Sequence, residues 1–394
     1  MKIVIAADLH WPTINGVATF SRNLAHGLAA KGHDVTVIAP SQTGKRYEEK
    51  DRNHIIKRTT AVPFPFYQNF RISVSPYREV KKIIEEAQPD VIHVQGLLGI
   101  GRAALAVGKR LDIPVVATNH AMPENLLDNL KLLAPFARPI SYMLTEYGRR
   151  FHNNADYVTL PTAAAINMFG DKTSEMAVPM VAISNGIDLS RFKPGKAPAS
   201  IYKQFDLPVN KPIISYIGRL DSEKHVHVLL RAAQRVFDKH DAHLLIVGSG
   251  NDLENLKGLA EKLNIADRVT FTGRVTDEEI EQLHQVGTVF CVPSPAELKC
   301  IAALEAMASG QPLVAVDAGA LYELCQDGKN GYLCRTDDDA QIAEKLEAIL
   351  ESPDLRKKFS AKSIAIAKTH DLKHTLSQFE KVYAEVLARR ANSL

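Results

Sequence analysis

The sequence predicts an α/β protein with two doubly wound, Rossmann-like domains. Three observations lead to this prediction: the chain has 394 residues, it opens on a strand–helix–strand pattern, and the same alternation starts again near residue 213. A chain of this length exceeds the size at which a single hydrophobic core usually stops growing. Alternating strands and helices favour parallel sheets that are covered by helices.

The composition is that of a globular protein without a nucleic-acid partner. Hydrophobic residues make up 45% and charged residues 24% of the chain, which are ordinary values. The net charge of +3 is too small to indicate nucleic-acid binding by itself. No stretch approaches the roughly 18 to 20 continuous apolar residues of a membrane span, and the N-terminal apolar run is too short for a signal peptide. We therefore expect a cytoplasmic protein.

The potential ligand residues do not indicate a metal or a cofactor. The four cysteines include no Cys-x-x-Cys pair, and the 14 histidines form no known ligand motif. In a cytoplasmic chain, such cysteines are expected to be buried thiols rather than disulfides. We predict no metal and no cofactor.

The first domain begins with a strand, a helix and a second strand. Residues 2–7 form the first strand, apolar residues recur at helical spacing from 17 to 28, and residues 35–39 form the second strand. Gly16 lies where the loop enters the helix, and its lack of a Cβ lets the backbone approach a ligand. A plain helix cap is the alternative role. The loop contains no G-x-G-x-x-G fingerprint, so it does not indicate a dinucleotide.

Later strands of this domain are predicted at residues 90–95, 114–120, 156–160 and 181–184. His120 stands at the carboxyl end of the second of these, and ligands bind at that edge in open α/β sheets. We therefore take it as a candidate substrate contact, with a structural histidine as the alternative.

Two stretches of the first domain combine basic residues with aromatic or apolar ones. Residues 43–82 hold ten Lys or Arg against four acids, a balance of 10 − 4 = +6, interleaved with Phe64, Phe66, Tyr67, Phe70 and Tyr77. Residues 124–152 are amphipathic and basic. Both stretches fit peripheral contact with an anionic membrane. The alternatives are a solvated edge for the first and a core helix pair for the second.

A second alternation of strands and helices defines the second domain. Its strands are predicted at residues 213–217, 243–247, 269–272, 289–292, 313–316 and 331–334. Residues 191–212 are richer in Lys, Pro, Ala and Ser, which indicates a linker. We place the domains at 1–195 and 196–374, with an amphipathic helix at 375–394.

The stretch from Pro293 to Pro312 is the most informative about function. It passes from a buried strand into a helix that ends at Gly310. Glu297 lies in the loop and Glu305 within the helix, while the helix N-terminus between them favours a phosphate group. An anion site flanked by two carboxylates that can bind hydroxyl groups fits a phosphorylated sugar.

Two cations follow the first strand of the second domain. Arg219 and Lys224 lie in the segment Gly-Arg-Leu-Asp-Ser-Glu-Lys, between that strand and the next helix. Fixed cations at this position can hold a pyrophosphate and stabilise the negative charge of a leaving group. A solvated surface pair is the alternative.

These motifs resemble those of the retaining GT-B glycosyltransferases of family 4. The matching segments are Gly-Arg-Leu-x-x-Glu-Lys (218–224), Ser-Asn-Gly-Ile-Asp (184–188), Val-Gly-Ser-Gly (247–250), Glu-x7-Glu with Glu-Ala-Met-Ala-Ser-Gly (297–310) and Asn-Gly-Val-Ala-Thr-Phe (15–20). The resemblance spans both domains. It implies the GT-B architecture, in which two Rossmann-like doubly wound domains face an interdomain cleft, with acceptor on residues 1–195 and donor on residues 196–374. It also implies that the C-terminal helix 375–394 crosses back to pack on the first domain.

The resemblance also implies roles for the candidate residues. Arg219 and Lys224 would hold the diphosphate of a nucleotide-sugar donor. Glu297 would bind donor-sugar hydroxyls, and the backbone at Cys300 and Ile301 would meet the phosphate or sugar. Such enzymes usually need no metal, and the sequence has no Asp-x-Asp metal motif.

The remaining donor contacts are implied in the same way. Glu305 would accept hydrogen bonds from the ribose, and the backbone near Arg274 and Val275 would meet the base. From the first domain, Gly16 would face the diphosphate and His120 would lie beside the donor sugar. The implied catalytic set is His120, Arg219, Lys224 and Glu297.

Two positions depart from the family pattern. Many members carry Gly where this chain has Cys300 and where it has His225. Cys300 keeps the backbone N–H group but adds a side chain beside the predicted donor. This departure leaves the identity of the donor sugar open.

The leading hypothesis is transfer of a hexose, with retained configuration, from a nucleotide-sugar such as UDP-glucose to a hydroxyl of a membrane lipid or glycan. The basic, aromatic first domain is similar to that of members that glycosylate diacylglycerol or phosphatidylinositol, which suggests a peripheral position on the inner face of the cell membrane. The alternatives are a nucleotide-sugar 2-epimerase, a glycosidase that uses Glu297 and Glu305, and a non-catalytic sugar-nucleotide-binding protein.

Overall fold

The chain forms two compact units in the computed structural model, which describes residues 1–13, 15–64, 70–120, 137–168 and 176–392. Unit 1 comprises Met1–Gly186 and Leu372–Leu394, and unit 2 comprises Ile187–Asp371. Unit 2 is therefore inserted between two segments of unit 1. The assignment of acceptor and donor roles to residues 1–195 and 196–374 stays a prediction.

Unit 1 contains an eight-stranded sheet and a separate pair of short strands. Its strands are β1 (Lys2–Ala6), β2 (Asp34–Pro40), β3 (Tyr47–Asp51), β4 (His54–Thr59), β5 (Ala61–Pro63), β6 (Arg71–Ser73), β7 (Val91–Val94), β8 (Val115–Thr118), β9 (Tyr157–Leu160) and β10 (Met180–Ala182). The order across the sheet is β10-β9-β8-β7-β1-β2-β4-β3. Only β3 pairs antiparallel in this sheet, with β4, and β5 pairs antiparallel with β6. The direction of winding reverses between β1 and β7, as in doubly wound folds.

The described helices of unit 1 are α1 (Gly16–Ala30), α2 (Tyr77–Ala87), α3 (Gly99–Leu111), α4 (Ala137–His152), α5 (Ala163–Met168) and, after unit 2, α13 (Leu372–Ala391). Phe20 and Leu24 of α1 are buried in one core cluster with Phe379 and Tyr383 of α13. The end of the chain therefore completes the core of the unit in which the chain begins.

A buried hydrogen-bond network also connects α13 to the sheet. Tyr383 Oη lies 2.6 Å from His93 Nδ1, and His93 Nε2 lies 2.6 Å from Thr118 Oγ1. Burial lowers the pKa of His93 to about 3, so the imidazole is neutral and bridges the two hydroxyl groups. Satisfying these polar groups in the core fixes the position of α13 on β7 and β8.

Unit 2 is built on a six-stranded, fully parallel sheet. Its strands are β11 (Ile213–Ile217), β12 (His243–Val247), β13 (Val269–Phe271), β14 (Val289–Val292), β15 (Leu313–Val316) and β16 (Gly331–Cys334). The order β13-β12-β11-β14-β15-β16 reverses between β11 and β14. All residues of β11, β12, β14 and β15 are buried, because parallel strands are covered on both faces.

The helices of unit 2 are α6 (Ala199–Gln204), α7 (Val226–Phe237), α8 (Leu253–Lys262), α9 (Asp277–Val286), α10 (Ile301–Ala308), α11 (Asp339–Glu351) and α12 (Pro353–Lys368). The predicted stop at Gly310 is present: the residue has φ = +90°, a left-handed conformation that favours glycine after a helix. Parallel sheets and helices in both units confirm the α/β prediction.

Two stretches differ from the sequence-based interpretation. Residues 191–212, predicted as a linker, belong to unit 2, where Phe192, Ile201 and Leu207 are buried in its core. Residues 43–82, interpreted as a basic surface, supply β3 to β6. The edge strand β3 has the sequence Tyr-Glu-Glu-Lys-Asp. Edge strands commonly carry charged residues, so β3 lacks the apolar pattern from which a strand is predicted.

The two proposed membrane-facing stretches are described only in part. Phe66, Tyr67 and residues 124–136 lie outside the described residues. In the described part, Phe70 is buried against Phe64, whereas Tyr142 and Met143 of α4 are 64% and 68% exposed. Within the described ranges, no helix is both long enough and apolar enough to cross a membrane.

Candidate active site

The candidate site of unit 2 lies at the point where the winding of its sheet reverses. β11 and β14 are neighbours in the sheet but are separated by about 70 residues in sequence. The loop after β11 carries Arg219 and Lys224, and the loop after β14 carries Glu297. Ligands of open α/β sheets bind at this reversal, beyond the carboxyl ends of the strands.

Lys224 and Glu297 contact each other across this point. Lys224 Nζ donates to Glu297 Oε1 over 2.7 Å, and each side chain is only 14% exposed. Burial disfavours the Lys224 charge, but the charge of Glu297 and its hydrogen bond outweigh burial, so the pKa of Lys224 is raised. The site therefore holds a protonated ammonium group beside a carboxylate.

Arg219 is held by two carboxylates of its own loop. Its guanidinium donates to Asp221 and to Glu223, and the Glu223 side chain is buried. Asp221 in turn accepts from the Asn251 amide over 3.1 Å, and Tyr216 Oη donates to the Arg219 carbonyl over 2.8 Å. The guanidinium is thus oriented before a ligand arrives.

Glycines allow the loops around the site to pack closely. Gly248 has φ = +138°, and a Cβ there would lie 1.9 Å from the Gly218 carbonyl oxygen. Gly319 has φ = +56°, and a Cβ there would lie 2.4 Å from the Glu297 carbonyl oxygen. Any side chain at either position would displace the backbone that carries a candidate residue.

The N-terminus of α10 lies directly after Glu297 in the same loop. Cys300 is the N-cap residue and Ile301 begins the helix. Burial raises the pKa of the Cys300 thiol, so the group is a neutral, weak acceptor rather than an anion. The amides of Cys300 and Ile301 therefore remain candidates for binding an external anion.

Glu305 lies about one turn further along α10, where α9 contacts it. Its Oε2 atom lies 3.2 Å from Nε2 of the fully buried His284. The helix α9 that carries His284 starts at a capping box, in which Thr276 and Glu279 bond to each other's backbone. His284 thus orients the Glu305 carboxylate from a rigid element.

Arg274 and Val275 follow β13, two strands away from β11. Arg274 Nε donates to Ser249 Oγ over 3.3 Å, and the Gly248 amide donates to the Gly273 carbonyl over 3.1 Å. Val275 packs against the core. The structure therefore joins these residues to the Val-Gly-Ser-Gly loop after β12.

Gly16 and His120 belong to unit 1. Gly16 is the first residue of α1, and the cap is Asn15, whose side chain accepts from the Ala18 amide over 2.8 Å. The alternative role of Gly16 as a helix cap is therefore wrong. Burial lowers the pKa of His120 to about 3, and within the described residues its buried Nε2 atom has no hydrogen-bond partner. A neutral imidazole of this kind can donate to or accept from a ligand.

Lys299 is a buried cation that the sequence analysis did not single out. It is 9% exposed, and its Nζ donates to His370 Nδ1 over 3.4 Å. Burial lowers the pKa of Lys299 to about 8, and burial together with the Lys299 charge lowers that of His370 to about 3. The two groups therefore form a pair with at most one positive charge.

The structure thus brings some candidate residues into contact and leaves others apart. Lys224 contacts Glu297, and Cys300 and Ile301 follow in the same loop. Sequence reasoning assigned no role to Asp221 and Glu223, although their spacing of two and four residues from Arg219 could have suggested it. His284 gave no local signal, because tertiary packing brings it to Glu305.

Two protein-family models match the chain. The family described as Glycosyl transferases group 1 matches residues 199–365, and the family described as Glycosyltransferase Family 4 matches residues 14–191. Each match therefore covers one of the two predicted domains.

Two relatives and one solved structure extend this comparison. The chain is 29% identical to the GDP-mannose-dependent alpha-mannosyltransferase of Corynebacterium glutamicum, over 89% of this chain and 80% of that protein. It is 27% identical to the alpha-monoglucosyldiacylglycerol synthase of Streptococcus pneumoniae, over 90% and 80%. The sucrose-phosphate synthase of Thermosynechococcus elongatus superposes with a TM-score of 0.79 at 22% identity, covering 98% of this chain and 99% of that one. At this identity the superposition shows a shared fold.

Proposed function

This chain belongs to the GT-B glycosyltransferases of family 4 and group 1, and we propose that it moves a hexose from a nucleotide-sugar to a hydroxyl of a membrane lipid or glycan, with retained configuration. UDP-glucose is the donor we propose, and a lipid with a diacylglycerol anchor is the acceptor. The Streptococcus pneumoniae relative, an alpha-monoglucosyldiacylglycerol synthase, supports glucose as the sugar and diacylglycerol as the acceptor. The name of the Corynebacterium glutamicum relative supports GDP-mannose as the competing donor.

The observation that carries the proposal is the contact between Lys224 and Glu297 at the reversal of the unit 2 sheet. In the proposed donor complex, Lys224 and Arg219 turn to the diphosphate. Glu297 is released to bind hydroxyl groups of the sugar. The amides of Cys300 and Ile301 add donors at the start of α10. Positive groups at this position stabilise the charge that develops on the departing diphosphate.

The other candidate residues have proposed positioning roles. Glu305, held by His284, binds the ribose hydroxyls. The backbone at Arg274 and Val275 meets the base. From unit 1, Gly16 approaches the diphosphate and the neutral imidazole of His120 lies beside the sugar.

We propose that the reaction needs no metal ion. Two cationic side chains and the N-terminus of α10 provide positive charge for a diphosphate within unit 2. Turnover in buffer with an excess of EDTA should equal turnover in buffer with Mg²⁺. A requirement for a divalent ion would overturn this part of the proposal.

A peripheral position on an anionic membrane completes the proposal. Two observations favour it: the balance of +6 over residues 43–82, and the exposed Tyr142 and Met143 on α4, which also carries Arg150 with a 74% exposed side chain. Internal pairing weakens the first observation, because Arg58 is buried against Glu49 and Lys57 contacts Glu48 and Glu86.

The test is a donor panel with and without liposomes. UDP-glucose, UDP-galactose, UDP-GlcNAc, GDP-mannose and ADP-glucose are each incubated with the enzyme, with and without anionic liposomes that contain diacylglycerol. We expect nucleoside diphosphate release from UDP-glucose, increased by liposomes, and an α-linked glycolipid by NMR. Equal release with and without liposomes would be hydrolysis of the donor by water and would contradict the lipid acceptor; soluble glycans would then be added as acceptors.

Matched variants separate transfer from the alternative functions. Glu297→Gln should abolish product formation, whereas Glu254→Gln, on an 80% exposed side chain of α8, should leave it unchanged. An epimerase would convert UDP-GlcNAc without any acceptor. A binding protein would bind the donor without releasing a diphosphate, and a glycosidase would cleave an aryl glycoside in the absence of nucleotide.

A further inference from the structure

Unit 1 contains a cluster of metal-ligating side chains that the proposed transfer reaction does not use. His26 lies in α1, and Asp51 and His54 face each other across the antiparallel pair β3–β4. One ligand atom from each of the three residues lies within 4.8 Å of the other two. His26 Nε2 is 2.8 Å from Asp51 Oδ2. The cluster therefore joins a helix to the edge of the sheet.

His54 has hydrogen-bonding capacity that the described protein groups do not satisfy. The residue is 2% exposed, and within the described ranges neither of its buried ring nitrogens has a hydrogen-bond partner. A neutral imidazole presents one donor and one acceptor. Leaving such a group unsatisfied in the interior costs on the order of 1–3 kcal/mol. A ligand that accepts the imidazole lone pair would remove part of this cost.

The metal-binding atoms of the cluster determine which class of ion it would bind. Two imidazole nitrogens and one carboxylate oxygen suit zinc and neighbouring first-row divalent ions, with water in the fourth position. Calcium and magnesium prefer six or more oxygen ligands, of which this cluster supplies only a carboxylate. The 2.8 Å contact of His26 with Asp51 would have to lengthen, because each ligand atom lies about 2.0–2.2 Å from a zinc ion.

A neighbouring cation limits the affinity that can be expected. Arg22 Nε lies 3.6 Å from Asp51 Oδ2, so the guanidinium already compensates part of the carboxylate charge. A divalent ion would bring two further positive charges to this pair. We therefore expect affinity in the micromolar range rather than the much tighter binding of structural zinc sites.

We propose that His26, Asp51 and His54 form a site for a zinc-like divalent cation that fastens the β3–β4 hairpin to α1. His26 lies ten residues beyond Gly16, about 15 Å along the helix axis, so the ion would not contact the proposed donor. Its effect is on the stability of unit 1. This inference is independent of the proposed function, because its measurements require no turnover.

The test uses full-length protein without a histidine tag, freed of metal by a chelator that is then removed. Titration with Co²⁺ is followed by visible absorption, and Zn²⁺ is added in competition. We expect one equivalent of Co²⁺ with the intense bands of four-coordinate cobalt, displacement by Zn²⁺, and a raised melting temperature. The absence of stoichiometric binding at 100 µM metal would overturn the proposal, as would six-coordinate spectra.

Variants identify the ligands. His54→Gln and the nearly isosteric Asp51→Asn should each weaken Zn²⁺ binding at least tenfold, and circular dichroism should establish that each variant is folded. The control is His33→Gln, a partly buried histidine of the same unit that contacts Glu380 instead. Equal affinity in all variants, or a loss confined to His33→Gln, would overturn the assignment.

Discussion

The two units differ in the charges at one equivalent place of their folds. This corner consists of the loop after the first strand and the start of the helix that follows the neighbouring strand at the reversal of the sheet. In unit 1, the loop after β1 supplies Asp8, whose carboxylate accepts from the amides of Leu98, Ile100 and Gly101 at the start of α3, over 3.0, 2.8 and 3.3 Å. In unit 2, the corresponding loop after β11 supplies cations, and the corresponding helix α10 begins at a neutral thiol.

Under the proposed function, this difference explains why unit 2 binds an external anion here whereas unit 1 does not. A helix N-terminus attracts negative charge in both units. Unit 1 satisfies this with its own buried carboxylate, so the amides of α3 serve stability. In unit 2, Lys224 contacts Glu297 in the loop that leads into α10, and we propose that a ligand supplies the anion there. The residue two positions after the first strand is Asp8 in unit 1 and Arg219 in unit 2.

The largest expected effect is that of removing the Lys224 ammonium group from the unit 2 corner. Lys224→Ala should lower turnover about 1,000-fold, because it removes a charge that stabilises the departing diphosphate. The measurement is diphosphate release at saturating donor. Lys257→Ala, which removes a 45% exposed lysine of the same unit, should not change turnover. If both variants lose turnover to a similar extent, the charge difference between the two corners has no role in the reaction.

The next effect concerns a buried charge of unit 2 and depends on pH. The folded pKa of Lys299, about 8, lies below the ordinary 10.5, so the unfolded chain binds more protons between these values. Relative to a variant without this lysine, the contribution of Lys299 to the free energy of unfolding should therefore rise as pH increases from 8 to 10.5, by on the order of 3 kcal/mol at 1.36 kcal/mol per pKa unit. Urea unfolding of Lys299→Met should lack this rise, whereas Lys257→Met should keep it. Parallel curves for wild type and Lys299→Met would contradict the shifted pKa.

A smaller effect is expected at the unit 1 corner. Asp8→Asn replaces the acceptor of three amides by a group that is partly a donor, which should cost about 2 kcal/mol of unfolding free energy. Nucleoside diphosphate affinity should stay within about twofold of wild type. Asp34→Asn, at an exposed residue of the same unit, is the control for stability. A large loss of affinity in Asp8→Asn would show that the two corners are coupled.

The smallest expected effect is that of a substitution at the unit 2 corner. It gives the start of α10 a capping side chain, as Asp8 does for α3 in unit 1. Cys300→Ser gives α10 a good capping side chain, which should stabilise the protein by about 1 kcal/mol. The same hydroxyl competes for the amides, so nucleoside diphosphate binding should weaken roughly threefold. Calorimetry measures both quantities, and Cys300→Ala, which offers no cap, should show neither change. Tighter binding in the serine variant would contradict the role given to the amides.

The sequence predicted the fold well where strands are buried on both faces. The predicted strands 213–217, 243–247, 289–292 and 313–316 have the observed bounds, because a continuous apolar run bounded by loops has few other interpretations. The edge strand 331–334 was also predicted with its observed bounds. β3 was not predicted, since an edge strand needs no apolar face. Composition also suggested a linker at residues 191–212, because it does not show that Phe192 is buried in unit 2.

The candidate site was predictable as a set of residues but not as a set of contacts. Motif spacing singled out Lys224 and Glu297, which lie 73 positions apart in the sequence. Their 2.7 Å contact is explained by the pairing of β11 with β14, which spacing does not predict. The imidazole that holds Glu305 is brought there by tertiary packing, 21 residues away in sequence. Short motifs therefore identify chemistry, whereas the partners that orient it depend on the tertiary fold.

The insertion of unit 2 into unit 1 has a consequence for synthesis on the ribosome. The ends of unit 2 lie side by side, because the Ile187 amide donates to the His370 carbonyl over 2.8 Å. We therefore expect residues 187–371 to fold as soon as they have emerged from the ribosome. Unit 1 must wait for the last segment, because Phe379 and Tyr383 of α13 complete its core. Unit 1, whose first strands precede unit 2 in the chain, is therefore the unit that we expect to finish folding last.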